Sequence, residues 1–187
     1  MKRQLKSAVM LLALLCVFEL PQTIANEQIE AQWKVYQIHF RYTGFAAHYT
    51  CDGIEYKLKR LVELLGARDD VRIENSCFGT GNIERFHRVL LAFALPVPAD
   101  KTELDNEIIP AQWQEIEISG RRERYIDEGD CELVEQFYRQ VIPKLGFKKI
   151  KNRLRCIPGR RDFNALNLRL TGLKAMKVES LEQNRQE

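Results

Sequence analysis

The stretch CDGIEYKLKRLVELLG, Cys51 to Gly66, has a counterpart eighty positions on, CELVEQFYRQVIPKLG, Cys131 to Gly146. Ile54, Leu58, Leu61 and Leu65 fall at helical spacing in the first, and Val134, Tyr138, Val141 and Leu145 hold the same places in the second. An apolar stripe with a period near 3.6 marks an amphipathic helix in each. Asp52 and Glu132 put a carboxylate in the first turn, where the helix dipole favours negative charge. Gly66 and Gly146 stand where a left-handed residue ends a helix. Self-similarity at a fixed offset describes how a chain is built before any residue is given a role.

The match extends outward in both directions. Ala31-Gln32-Trp33 recurs as Ala111-Gln112-Trp113, and each unit closes on a second cysteine, Cys77 or Cys156, followed by Gly79 or Gly159. Before the first helix, Tyr36, Ile38, Phe40 and Tyr42 alternate with Gln37, His39 and Arg41, the pattern of a half-buried strand. Ile116 and Ile118 alternate with Glu115 and Glu117 in the second unit. A short strand follows each helix, Val71 to Cys77 and Phe147 to Cys156. A longer one completes each unit, Phe86 to Leu95 and Leu166 to Leu173. The fold class is therefore α+β, with two tandem strand–helix–strand–strand repeats, 31–95 and 111–173, joined by a linker over 96–110. One helix and three strands bury little surface alone. The repeats are expected to share one core as a two-layer sandwich, about six strands with two helices on one face. Residues 174–187 read as a polar, flexible tail.

The first 25 residues read as a targeting segment. Lys2, Arg3 and Lys6 precede an apolar run from Ala8 to Phe18, and Thr23-Ile24-Ala25 offers small residues for cleavage. This is the pattern of a secretory signal peptide, with an apolar run too short to span a bilayer well. Cleavage at Ala25 changes the net charge from +3 to (29−3)−(26−1) = +1. Near-neutral balance gives no reason to expect nucleic acid as a partner. Loss of Cys16 leaves four cysteines, which in an exported chain read as two disulfides. A helix of about fifteen residues runs roughly 22 Å. A strand of about seven residues returns nearly the same distance. Each unit therefore closes on itself, as Cys51–Cys77 and Cys131–Cys156.

Candidate chemistry is thin. The histidines are His39, His48 and His87, and His48 beside Cys51 is the one suggestive pair for thiol-redox or hydrolytic catalysis. A disulfide-bonded cysteine is no nucleophile, and neither Cys-x-x-Cys nor zinc-type ligand spacing occurs. No cofactor, metal or catalytic residue is assigned. The strongest hint is electrostatic. Lys149, Lys151, Arg153 and Arg155 alternate along one strand, with Ile150 and Leu154 expected to face the core, and Arg160 and Arg161 follow. Such a strip suits an anionic partner; lysines on an edge strand also block unwanted pairing.

Thr50-Cys51-Asp52-Gly53, Leu65-Gly66-Ala67-Arg68-Asp69-Asp70 and Gly129-Asp130-Cys131-Glu132-Leu133 resemble motifs of a family of small exported proteobacterial proteins of uncharacterised function. The likeness runs from about Trp33 to Cys156. It implies a bacterial, periplasmic setting, and no catalytic residue is carried over from it. With the basic strip, the expected role is non-enzymatic binding or assembly in the cell envelope, toward an anionic component or an acidic protein. The rival readings are an enzyme using His48 near Cys51 and a structural module that dimerises.

Overall fold

The computed structural model describes residues 28–77, 81–100, 107–120, 125–126, 128–157 and 166–176. In chain order the elements are β1 (Gln28–Thr43), α1 (Cys51–Leu64), β2 (Arg72–Asn75), β3 (Phe86–Pro98), β4 (Ile108–Ser119), α2 (Cys131–Gln140), β5 (Lys148–Asn152) and β6 (Asn167–Ala175). The strands form one antiparallel sheet in the order β2-β3-β1-β4-β6-β5. The α+β sandwich anticipated from the periodicities is thus present, and each half contributes three adjacent strands and one helix.

The halves meet at β1 and β4, which pair over five residues only. Glu30 faces Pro110, with Ile29 opposite Ala111 and Ala31 opposite Ile109. Each of these residues meets the one that lies eighty positions from itself or its mirror neighbour, so the join is two-fold symmetric about Glu30 and Pro110. Within the halves the registers differ. Ala31 pairs with Pro98, whereas Ala111 pairs with Ala175, so β6 lies 175−98 = 77 positions after β3 rather than eighty. The second half is three residues shorter before its last strand.

One core lies between sheet and helices. Ile38, Phe40 and Tyr42 on β1, Val89 and Leu91 on β3, Ile116 and Ile118 on β4, and Leu168 and Leu170 on β6 face Ile54, Leu58, Leu61, Val134 and Phe137. Each fully buried side chain of this size contributes about 1.5–3 kcal/mol of transfer free energy. Gly172 lets Phe147 approach β6, since a Cβ there would come within 2.5 Å of the phenyl ring.

Helix ends follow the sequence with one exception. Gly66 and Gly146 have φ of +94° and +65° and terminate the helical segments. The Thr50 hydroxyl accepts from Gly53 N–H and caps α1. Helix α2 stops at Gln140 and continues as a 3-10 turn over Ile142–Lys144. Pro143 lacks the N–H a helix interior needs and crowds the preceding turn. Strand ends also differ from expectation. β3 runs on to Pro98, β4 starts at Ile108 and β6 reaches Ala175, so both ends of segment 96–110 and the first residues of the tail are strand. Residues 1–25, which the sequence reads as a targeting segment, and Gly79, Gly159, Arg160 and Arg161 lie outside the described residues.

Candidate functional site

The bridges Cys51–Cys77 and Cys131–Cys156 both form, with Cα separations of 6.2 and 5.5 Å. His48 is exposed in the loop before α1. His87 is the histidine at a bridge: it is buried, and its ring nitrogen lies within 4.8 Å of the Cys51 and Cys77 sulfurs. With both sulfurs in a disulfide, His87 alone among the three offers an ordinary metal-ligand atom. His87 Nδ1 meets Asn75 Nδ2 at 3.2 Å and Nε2 meets the Glu84 carbonyl at 3.3 Å. It opens an apolar strand in the sequence, and only the antiparallel return of β3 brings it beside a cysteine 36 positions away (87−51).

Strand β5 lies at the sheet edge with all five residues exposed. Lys148 pairs with Thr171 and Lys151 with Arg169, three steps against two, so one residue is bulged out. Lys149 takes φ +47° to make the bulge, a conformation uncommon for a side-chain-bearing residue. This corrects the simple alternation. Past a bulge the faces change parity, so Lys148, not Lys149, shares the outer face with Lys151 and Arg153. Ile150 is 40% exposed rather than turned to the core, while Leu154 does pack against it. Lys148 is occupied, its Nζ 3.7 Å above the Trp113 ring. Lys151 and Arg153 are exposed and in no ion pair among the described residues; Arg155 lies in coil beyond the strand.

The seam between halves carries buried polar groups, among them Glu132, which the sequence marked only as a first-turn carboxylate. Strand β1 outruns its pairing with β4 and leaves a free edge, which α2 covers. Gln140 exchanges hydrogen bonds with Arg41 N–H and C=O, and Gln136 does the same with Thr43. Glu132 Oε2 accepts from Phe45 and Ala46 N–H at 2.9 Å. Four helical residues rise about 6 Å. Two strand residues advance about 6.7 Å, so the three side chains keep step with one strand edge. Glu132 therefore serves the opposite half rather than its own helix dipole. Its Oε1 is buried with no hydrogen-bond partner among the described residues.

Asp130, 2% exposed, precedes α2 without capping it. It accepts from the Tyr49 hydroxyl at 2.6 Å and pairs with Lys57 Nζ at 2.5 Å, crossing the seam both times. Tyr42 stacks edge-on against Tyr49 and donates to the Ala47 carbonyl. Burial, with the negative charge of Glu132, pushes the Tyr42 phenol far above its usual range. In the first half, Tyr56 and Arg60 reach instead for Tyr125 beyond β4: the rings meet at 5.7 Å and the guanidinium lies 4.6 Å over Tyr125.

These features define a disulfide-braced α+β sandwich with an open sheet face and an exposed cationic edge. No family model, curated protein or solved structure matches the chain. Among the described residues no helix is long and apolar enough to cross a membrane.

Proposed function

We propose that the chain is an exported envelope protein built from two copies of one strand–helix–strand–strand unit, with a non-enzymatic role in binding or assembling an anionic component. The observation that carries this reading is the β5 edge, where Lys151 and Arg153 project together, exposed and in no ion pair among the described residues. Their Coulomb field acts on a partner rather than on the fold. Two matched disulfides fit a chain that matures in an oxidising compartment. The leader-like residues 1–25 support a periplasmic destination.

Reversing both charges, Lys151→Glu with Arg153→Glu, tests the reading. The double variant should lose salt-sensitive binding to phosphatidylglycerol vesicles or to an acidic protein and keep its melting temperature. Undiminished binding removes the proposal.

A further inference from the structure

On the sheet face turned away from the helices, Arg41 on β1 stands directly opposite Arg88 on β3. Like charges directly across a ladder destabilise it. Both residues are exposed, and neither guanidinium joins an ion pair among the described residues. The backbone beneath is fixed: Gln140 holds Arg41 N–H and C=O, and the Arg88 carbonyl accepts from Ser76 N–H at 3.0 Å. The arginines border a depression of about 470 Å³ that also takes in His39, Glu74 and Leu90. Glu74 and His39 face Leu90 from either side, one row along from the arginine pair. Glu74 is exposed and likewise has no ion pair among the described residues.

We infer that this depression binds a phosphate-bearing amine, with the phosphate between Arg41 and Arg88 and the ammonium at Glu74. Two guanidinium forks match the negative charge and the several oxygens of a phosphate group, whether monoester or diester. A carboxylate diagonal to Arg88, at the roughly 7–8 Å spacing of diagonal ladder neighbours, suits a cation on the same small ligand. An anion alone would leave Glu74 repelling it. The chemistry is that of phosphoethanolamine, free or as a lipid headgroup. It is independent of the β5 edge, which lies at the far side of the sheet.

Calorimetric titration of the protein with O-phosphoethanolamine, with inorganic phosphate and with phosphatidylethanolamine vesicles, at matched ionic strength, tests the site. The free amine-phosphate should bind about tenfold tighter than phosphate, a difference of about 1.4 kcal/mol. Arg88→Gln should abolish both interactions, and Arg88→Lys, which keeps charge without the fork, should weaken them. Glu74→Gln should erase the preference and leave phosphate binding. Binding by vesicles but not by the free compound assigns the site to a lipid headgroup; binding by the free compound assigns it to a solute. No saturable binding of any probe, or binding that survives Arg88→Gln with Arg41→Gln, overturns the inference. Loss of binding only in the Lys151→Glu/Arg153→Glu variant also overturns it, and leaves the role of the β5 edge standing.

Discussion

Helices α1 and α2 begin at matched cysteines and carry matched apolar stripes, yet their polar faces are used differently. Along α2, Glu132, Gln136 and Gln140 hydrogen-bond the free edge of β1. At the corresponding places along α1 stand Asp52, Tyr56 and Arg60, of which the last two grip Tyr125 through rings and charge. The polar face of α2 meets a strand edge with amides and a carboxylate, whereas that of α1 meets a tyrosine past the end of β4 with a ring and a cation. A shared apolar pattern sets where a helix lies; the polar face is free to diverge because its partners lie in the other half. The two cation-capped tryptophans show the opposite case. Arg68 lies 5.6 Å over Trp33 and Lys148 lies over Trp113, and these two cations are themselves eighty positions apart.

The largest effects should come from the disulfides, and they probe the likeness. The bridges close loops of 26 and 25 residues. Chain entropy alone assigns about 3–4 kcal/mol to each. Replacing Cys51 and Cys77 by alanine, or Cys131 and Cys156, should give equal falls in urea stability. A larger fall for the first pair would mean that packing of buried His87 against the bridge, which has no described counterpart in the second half, matters as much as chain entropy.

Next in size is the contrast between Glu132 and Asp52. Glu132→Ala strips two backbone N–H groups of a charged acceptor and should cost about 2–3 kcal/mol. Asp52, exposed at the same point of α1, offers only a dipole interaction, so Asp52→Ala should cost about 0.5 kcal/mol. Similar losses at both positions, by chemical denaturation, would erase the distinction between the helices.

Tyr42 gives a pH-dependent version of the same test. Its folded-state phenol is raised above the usual value near 10, so the unfolded chain releases that proton first as pH rises. The stabilisation is whole below about pH 10 and declines above it. Tyr42→Phe should cost about 1 kcal/mol at neutral pH through the lost bond to Ala47. It should also flatten the alkaline decline; a decline of unchanged slope would place its origin elsewhere.

Much of this architecture is legible in the chain itself. The strand alternation of Tyr36 to Tyr42, the helical stripes, the glycine stops and both bridges depend on local periodicity and chain length, which a sequence displays. The seam was hidden, because Asp130 and Glu132 look like ordinary first-turn carboxylates until the β1 edge is known to pass beside them. His87 was hidden for the same reason. The β5 bulge had no visible cue: alternating lysines and arginines suit a regular strand, and the extra residue appears only against the register of β6.

The smallest expected effect is on stability at β5, and it separates the basic edge from the seam. Lys151 and Arg153 are exposed, and no ion pair among the described residues holds them. Substituting surface residues of this kind usually changes stability by less than about 0.5 kcal/mol. The Lys151→Glu/Arg153→Glu variant should therefore melt as the parent does. A marked loss would show that the cations stabilise the edge against the neighbouring Arg169–Glu117 pair, and would make β5 part of the fold rather than a surface for a partner. Unchanged melting with weakened anion binding would place the difference between the halves at an edge that can change without cost to the shared core.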